Sequence, residues 1–338
     1  MGVHLSEILP KLGKVHVAID NAFLRKLCRA AAQCESPAKS HQFVTKLGLR
    51  INKKAGRCTT VDGWLRGYRT VPSTHLPILV KLSGISWGLL TQNIVGIKAG
   101  PHGTFIKPTF PLALDERLGC IAGHIMGDGA IDAKYLQVSF SNKNPELLQE
   151  FADCMRAVFH CEPRIWQHGP SNFAHATWDR RLTSIDEKDN ARCGGLFYPS
   201  ICGKLLHALL GEFAVGSVKS ITANIKQAPP AFKRAFVRAF FDDEGSCDAQ
   251  SYHLRAHQKD KLILEDIRLF LEELNIESNP VCEYLKHGQY HHYFNITKKK
   301  NFAAFLKQVG FTSSNKQDKL IWLARPDQRC LVTPRRLQ

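Results

Sequence analysis

Two short stretches of the sequence each place an acid between an apolar helix and a glycine. The first, "CIAGHIMGDGAI" (residues 120–131), contains Asp128, and the second, "AFVRAFFDDEGS" (residues 235–246), contains Glu244. If the two helices lie side by side, their C-terminal ends bring these acids together. The carboxylates then repel each other and the partial negative charges of the helix ends. A divalent cation neutralises both acids and accepts terminal carbonyls as ligands, so the pair predicts a metal site.

Small residues on the first helix favour such close packing. Gly123 and Gly127 stand four residues apart and share one helix face. Glycine costs about 1 kcal/mol relative to alanine inside a helix, so we expect a second backbone to pass close to this face. Ala239 takes the position of Gly123 in the second stretch. The alternative, two unrelated helices with acid-glycine C-caps, explains each stretch alone but not their matched contexts.

The segments that follow each acid also correspond, which indicates an internal repeat. Each copy shows an alternating apolar stretch, a helical stripe, a further strand candidate, a helix and a polar loop with a lysine, Lys219 or Lys316. The acid-to-lysine interval is 91 residues in the first copy and 72 in the second. We assign the extra residues to a longer hairpin loop within the polar, basic stretch 168–196. Two matched α/β halves predict one pseudo-symmetric domain.

The segments "IAGHIMGDG" (121–129) and "VRAFFDDEG" (237–245) resemble the two motifs of the LAGLIDADG homing endonuclease family. The resemblance extends over roughly residues 113–325. It implies an α+β fold, a pseudo-two-fold pair of αββαββα repeats whose sheets form a saddle on DNA. It further implies a site-specific homing endonuclease that uses Mg²⁺ (or Mn²⁺) to break both strands of a long DNA target. Because one chain supplies both motifs, we expect it to act as a monomer.

The resemblance also implies a set of site residues near the interface of the two motif helices. The metal-binding acids are Asp128 and Glu244, and the further catalytic residues are Lys219, Lys316, Asn144 and Gln258. The expected metal set also includes Gly127 and, as an alternative ligand beside Glu244, Asp243. Asn144 and Gln258 match a polar residue that positions water. For either lysine, a solvated loop or a phosphate contact is the alternative. The chain departs from the family pattern at Glu244, which replaces Asp, and at Met126, which replaces the first motif acid.

The N-terminal hundred residues are strongly basic, with fifteen Lys/Arg against four Asp/Glu, a net charge of +11. Within them, "TVDGWLRGYRTVP" followed by "LPILVKLSG" resembles the helix-turn-helix of the Cro/repressor family, which implies a small all-α DNA-binding domain. Expected base-facing residues are Thr59, Thr60, Asp62 and Gly63, and expected phosphate contacts are Lys53, Lys54, Arg57, Arg66 and Arg69. The alternative is a small helical bundle whose basic surface binds a protein.

The chain therefore divides into five predicted parts. They are a helix-turn-helix domain (1–98), a linker with three prolines and two glycines (99–112), the first repeat (113–228), the second repeat (229–328) and a basic tail (329–338).

Hydropathy, cysteine spacing and net charge indicate the cellular compartment and the class of binding partner. No apolar run reaches the roughly 20 residues of a membrane span, so no membrane partner is expected. The eleven cysteines form no CxxC pair, which indicates reduced thiols without a structural zinc site, in the cytoplasm or nucleoid of a prokaryote or in an organelle. The net charge of +16 indicates a polyanionic partner, double-stranded DNA or RNA. Two other functions stay open: a catalytically silent DNA-binding transcription regulator on this scaffold, and an RNA maturase or RNA-processing nuclease.

Overall fold

The N-terminal region combines short helices with short strands. The computed structural model describes residues 2–168, 185–186, 193–286 and 288–325. The helices of this region are α1 (Leu5–Ile8), α2 (Asn21–Ala32), α3 (His41–Lys46), α4 (Thr59–Leu65), α5 (Leu76–Ser83) and α6 (Trp87–Gln92). Its strands are β1 (Gly2–Val3), β2 (His16–Ile19), β3 (Val71–Pro72), β4 (Ile94–Lys98) and β5 (Leu112–Ala113).

The expected all-α character of this region is wrong. Strand β2 lies between β3 and β4 in an antiparallel three-stranded sheet. Val17, Val71 and Ile97 meet in this sheet with no exposed surface. The physical reason is that short β-branched runs gain more from this pairing and burial than from the helices around them.

The predicted linker 99–112 packs against the N-terminal region at two points. Buried Ile106 exchanges two backbone hydrogen bonds of 2.9 Å with Ile97. Buried Leu112 pairs with Val3 in the two-stranded sheet of β1 and β5. Lys204 of the next region in turn donates to the carbonyl of Leu12 at 3.2 Å. The segment is therefore an ordered part of the N-terminal region, and Lys204 links that region directly to the first repeat.

The two expected αββαββα repeats are confirmed. The first consists of α7 (Glu116–Met126), β6 (Gly129–Ile131), β7 (Val138–Asn142), α8 (Pro145–Phe159), β8 (Arg164–His168), β9 (Ile185–Asp186), β10 (Cys193–Tyr198) and α9 (Ser200–Leu210). A short segment follows, with β11 (Ala214–Val215), β12 (Val218–Lys219) and α10 (Ala223–Lys226). The second repeat consists of α11 (Pro230–Glu244), β13 (Gly245–Asp248), β14 (His253–Gln258), α12 (Lys261–Glu273), β15 (Cys282–Lys286), β16 (Gln289–Ile296) and α13 (Lys299–Gln308), and α14 (Ser314–Ala324) follows it.

The two sheets have the same topology. The strand order is β6-β7-β10-β8 in the first repeat, with the short β9 added at its edge, and β13-β14-β16-β15 in the second. Most of the stretch 168–196 and the whole predicted tail 329–338 lie outside the described residues. In the described part of the chain, no helix is both long enough and apolar enough to cross a membrane.

The repeats meet where α7 packs against α11, and the glycines of α7 set the distance between these helices. A Cβ added at Gly119 would lie 2.2 Å from the carbonyl oxygen of Phe232. At Gly123 it would lie 2.4 Å from the carbonyl oxygen of Phe236 and 2.8 Å from the Cβ of Ala239. The expected close approach of a second backbone at Gly123 and Ala239 is thus confirmed, and Gly119 extends it by one turn.

Candidate active site

The close helix packing places the two motif acids at the same end of the interface. Asp128 follows the C-cap of α7, and Glu244 is the last residue of α11. Asn142 donates from Nδ2 to Oδ2 of Asp128 at 2.8 Å, and Gln258 donates from Nε2 to Oε1 of Glu244 at 3.3 Å. Each amide stands at the end of a strand, 14 residues after its acid. The repeats therefore present two equivalent acid–amide pairs.

The electrostatic environment disfavours the simultaneous ionisation of both acids. Burial raises the pKa of Asp128 to about 6, and the charge of Asp243 raises it further against the opposing effect of Lys219. Burial likewise raises the pKa of Glu244 to about 7, with the charge of Asp128 as the next cause. Asp128 still keeps a solvent-exposed edge, which moderates the effect of burial on its pKa and gives a solvated cation access to its carboxylate.

Both predicted lysines close the C-terminal ends of the motif helices. Lys219 donates from Nζ to two carbonyls at the end of α7, and Lys316 donates to three at the end of α11. The acceptors are Met126 and Gly127 for Lys219, and Phe241, Asp242 and Gly245 for Lys316. Burial lowers the pKa of both ammonium groups. Each lysine supplies the positive charge that a helix C-terminus favours, next to the two acids.

Asp243 lies beneath Asp128, and its carboxylate contacts other protein groups. Its side chain has no exposed surface. It accepts from Nδ2 of Asn142 at 3.2 Å and from the backbone N–H of Asp128 at 3.5 Å, and Oδ2 lies 3.0 Å from Nδ1 of His124. Asp243 therefore orients Asn142 and the backbone of Asp128.

The family model of the LAGLIDADG-like domain matches residues 231–310, the part of the chain that contains Glu244 and its partner Gln258. This segment belongs to the LAGLIDADG-like family. The match begins in α11 and ends just after α13, so the LAGLIDADG-like domain corresponds to the second repeat.

Solved structures show more distant likenesses. A structure of I-DmoI in complex with DNA and Ca is 15% identical with a TM-score of 0.38, over 58% of this chain and 90% of that chain. Full-length DUF199/WhiA from Thermatoga maritima is 15% identical with a TM-score of 0.38, over 64% of this chain and 63% of that chain. These figures do not carry an activity from either protein to this one.

A curated relative is the glutamine–fructose-6-phosphate aminotransferase (isomerizing) of Methanocaldococcus jannaschii. It is 22% identical over 213 residues, 62% of this chain. The chain spans less than a fifth of the length of that relative, since the match covers 18% of it. The aminotransferase activity in its name is that of the whole relative.

The sequence prediction of Asn144 as a site residue is wrong by two positions. Asn144 accepts from the N–H of Glu146 at 2.9 Å and so caps α8. Asn142, and not Asn144, takes the position equivalent to Gln258. Asn144 corresponds instead to Asp260, the N-cap of α12. Asn142 follows Asp128 by 14 residues, as Gln258 follows Glu244, and this equal spacing is the signal in the sequence that identifies Asn142.

His124 is a second residue that the sequence interpretation missed. It is fully buried, and its Nε2 lies 3.3 Å from Oε2 of Glu150. Burial alone lowers the pKa of this imidazole, but Asp243 and Glu150 outweigh burial and raise it to about 10. Arg238 of α11 donates to Oε1 of Glu150 at 2.7 Å. Only the polar residue type within an apolar helix marks His124 in the sequence.

The departure at Met126 has a structural counterpart in the second repeat. Met126 is fully buried in the apolar core. Asp242, its equivalent in the second repeat, accepts from the backbone N–H groups of Thr312 at 2.9 Å and Ser313 at 3.1 Å, where α14 begins. Burial raises the pKa of Asp242 to about 6. The first motif acid therefore has an anchoring contact in the second repeat, which the first repeat replaces by apolar packing.

One face of the LAGLIDADG-like domain's sheet is polar and aromatic. Along β14, Leu254 and Ala256 are buried, while Arg255 between them points to the opposite face. Arg255 donates to Oδ1 of Asn295 at 2.7 Å, and its guanidinium lies 4.5 Å from the ring centre of Tyr293. Side chains of this kind bind phosphates and base edges.

In the N-terminal region, some of the residues expected to contact DNA are accessible to solvent and one is buried. Lys53, Lys54 and Thr59 are exposed, and Thr60 is half-buried. Gly63 is buried against Arg69, so its expected base-facing position is wrong.

Two further features concern the expected helix-turn-helix. Asp62, which was expected to face a base, forms ion pairs with Arg57 at 3.4 Å and with Arg66 at 3.2 Å, the two arginines that were expected to contact phosphates. Residues 47–58 separate α3 from α4, where helix-turn-helix units have a turn of about three to four residues. The match to that motif therefore stays a prediction.

The raised pKa values of Asp128 and Glu244 predict that neutralising both acids stabilises the protein when no metal is bound. The native pKa of each acid exceeds its ordinary value, 3.8 for Asp128 and 4.5 for Glu244. The native state therefore binds more protons than the unfolded state between about pH 4 and pH 7, and stability falls as the pH rises through this window. In EDTA at about pH 7.5, we expect Asp128→Asn/Glu244→Gln to be more stable than the wild type by about 1–2 kcal/mol, after allowing for solvent screening.

Urea denaturation at about pH 5 and about pH 7.5 measures this difference. The gain should shrink at the lower pH, and Mg²⁺ should reverse the order at the higher pH. The matched control is Asp318→Asn/Glu212→Gln, which neutralises two exposed acids. A double variant that is less stable than the wild type in EDTA at about pH 7.5 contradicts the proposed electrostatics.

Proposed function

We propose that the protein is a site-specific endonuclease that makes metal-dependent double-strand breaks in a long DNA target. The observation that supports this function most directly is the acid pair at the ends of α7 and α11. Each acid is bound by an equivalent amide, and the pKa of each is raised by burial and by neighbouring acids. Folding gains nothing from this repulsion, whereas a bound cation removes it.

The donor set at this pair fits a hard divalent cation. Carboxylate oxygens are the ligands that Mg²⁺ and Mn²⁺ prefer, and we assign Asp128 and Glu244 as the protein ligands. The Gly127 carbonyl, which accepts from Lys219, is a further oxygen at this helix end. When bound, such an ion polarises the phosphate and lowers the pKa of a bound water.

The side chains around the acids serve positioning and charge. Asn142 and Gln258 fix the carboxylates through hydrogen bonds, and buried Asp243 orients Asn142 from below. Lys219 and Lys316 place positive charge beside the acids, which stabilises the charge that develops when a phosphodiester is attacked. In place of Asn144, we therefore propose Asn142 together with Gln258 as the residues that position water.

The proposed DNA surface combines the exposed sheet faces with the basic N-terminal region. Arg255 and Tyr293 on the second sheet suit phosphates and bases, and Lys53 and Lys54 extend the positive surface. Phosphate contacts supply affinity, and contacts in the grooves supply specificity. Since one chain contains both acids, we propose that it cuts both strands as a monomer.

Replacing Lys53 with Gln tests the contribution of the N-terminal region. We expect a shallower salt dependence of DNA affinity, with the slope of log K against log[salt] reduced by about 0.9, because one phosphate contact is lost. Fluorescence anisotropy with duplex DNA in EDTA at several salt concentrations gives this slope. The control is Lys307→Gln on α13, which removes one exposed charge from the second repeat. Equal slopes for the two variants argue against a DNA contact at Lys53.

The proposed activity is tested with the genomic locus that encodes the protein. The locus is supplied as a supercoiled plasmid and as its RNA transcript, each with Mg²⁺. We expect linear plasmid with defined ends and intact transcript. Cleavage of the transcript alone replaces the DNA nuclease by the RNA-processing alternative. Tight DNA binding without any cut supports the silent regulator.

A further inference from the structure

A second group of metal-ligating side chains lies inside the first repeat, between α7 and α8. Cys120 and His124 stand four residues apart on α7, and Glu150 and Cys154 stand four apart on α8. Residues at this spacing share one helix face. The ligand atoms of Cys120, His124 and Glu150 all lie within 4.8 Å of one another. The Cys154 side chain packs against the small cluster formed by Cys120, Ala235 and Ala239.

We propose that Cys120, His124, Glu150 and Cys154 bind a Zn²⁺ ion that fastens α7 to α8. Two sulfurs, one imidazole nitrogen and one carboxylate oxygen form a ligand set that zinc accepts in tetrahedral geometry. With the bond lengths of such sites, ligand atoms lie roughly 3.3–3.8 Å apart. The separations among Cys120, His124 and Glu150, none above 4.8 Å, therefore need to close by at most about 1.5 Å. Cys154 lies one turn from Glu150 on the same face of α8 and completes the set by a change of side-chain rotamer.

The orientation of His124 supports this site independently. Its Nε2 faces Glu150, while its Nδ1 lies 3.0 Å from Oδ2 of Asp243. Metal-bound histidines almost always donate their other ring N–H to a carboxylate or carbonyl, which fixes the ring and its tautomer. Asp243 supplies this carboxylate from the other repeat, so the partner that a zinc-bound His124 needs is already in place.

The charges of the site balance when the ion is bound. Two thiols lose their protons and become thiolates, and His124 loses the proton at Nε2 and becomes neutral. The Zn²⁺ ion then offsets two thiolates, and Arg238 offsets Glu150, to which it donates at 2.7 Å. The displaced protons leave to solvent, and no bond is oxidised or reduced.

Burial indicates a structural ion and not a catalytic one. Cys120 and His124 have no exposed surface, and the Glu150 side chain is 15% exposed. Structural zinc sites are closed in this way, whereas catalytic ones keep an open position. The site shares no ligand with the acid pair Asp128 and Glu244. It was missed in the sequence because its ligands form C-x₃-H and E-x₃-C pairs on two helices and no CxxC.

The test measures metal in the purified full chain by inductively coupled plasma mass spectrometry. We expect one zinc ion per chain that survives dialysis against metal-free buffer. After removal of zinc, Co²⁺ should give the thiolate-to-cobalt charge-transfer band and the intense visible bands of a tetrahedral site. A folded wild-type protein that retains no zinc and gives no such Co²⁺ spectrum overturns the proposal. A Cys120–Cys154 disulfide in the protein as purified overturns it as well.

Variants separate this site from other thiols and from the proposed nuclease. Cys154→Ser, at a half-buried position, should lose the tetrahedral cobalt spectrum and weaken the charge-transfer band, because Cys120 is then the one sulfur ligand of the site. Cys154→His should keep a tetrahedral cobalt spectrum with weaker charge transfer. The matched control is Cys28→Ser, a buried thiol of the N-terminal region, which should leave metal content unchanged. Asp128→Asn/Glu244→Gln should also retain zinc, so the zinc site and the nuclease proposal can fail separately. Retention of the full cobalt spectrum by Cys154→Ser contradicts the assignment.

Discussion

Asp128→Asn is expected to lower the rate of DNA cleavage at least about a thousandfold, equivalent to about 4 kcal/mol of transition-state stabilisation. The amide keeps the shape of the side chain, and one oxygen can still accept from Asn142, but the negative charge that a cation requires is gone. Glu244→Gln should have the same effect, because the two acids take equivalent places in the repeats. Single-turnover cleavage of the locus DNA at saturating protein measures the rate.

A matched control shows that the effect arises at the acid pair. Asp153→Asn neutralises an exposed acid on α8 that pairs with Arg156 and should cut DNA at the wild-type rate. Both acid variants should bind DNA in EDTA at least as tightly as the wild type, since they remove negative charge beside the phosphates. Residual cleavage within tenfold of wild type in either acid variant would exclude a metal centre that needs both acids.

Gly123→Ala is expected to destabilise the protein by about 3 kcal/mol. In an ordinary helix this substitution stabilises by about 1 kcal/mol, because alanine has the higher helix propensity. Here the new Cβ would lie 2.4 Å from the carbonyl oxygen of Phe236. The contact is with backbone, so no side chain can move to relieve it, and α7 and α11 have to separate. The sign of the change in unfolding free energy therefore reports on the helix contact.

Urea denaturation of the full chain measures this change. Gly100→Ala serves as the control, because a Cβ at Gly100 meets no atom within 4 Å, and it should leave the stability nearly unchanged. Because helix separation also moves Asp128 away from Glu244, the Gly123 variant should lose cleavage activity together with stability. A stabilising effect of Gly123→Ala would show that the two backbones do not meet there.

The features that follow from local pattern could be predicted from the sequence. Gly123 and Gly127 mark a helix face by spacing alone, and the repeated order of strands and helices gives the pseudo-symmetry. The positions of Lys219 and Lys316 near the acids followed from a family resemblance. Their contacts with the helix-end carbonyls are a feature of the three-dimensional structure that no spacing reveals.

The predictions that were wrong share a different cause. Asn142 and Asn144 are chemically identical, and only the end of β7 and the start of α8 decide which one faces Asp128. The N-terminal sheet is built from short strands separated by long sequence distances, so each strand alone gives a weak signal. The ligands of the proposed zinc site lie on two helices, α7 and α8, that are brought together by tertiary packing. They form no contiguous sequence motif.

The most direct test of the central claim is the conversion of supercoiled plasmid that carries the encoding locus. Wild-type protein and Asp128→Asn/Glu244→Gln are each incubated with the plasmid in Mg²⁺ and in EDTA. The proposed function predicts linear product for the wild type in Mg²⁺ and for none of the other three reactions. Linear product in EDTA, or from the double variant in Mg²⁺, would contradict a metal-dependent nuclease built on Asp128 and Glu244.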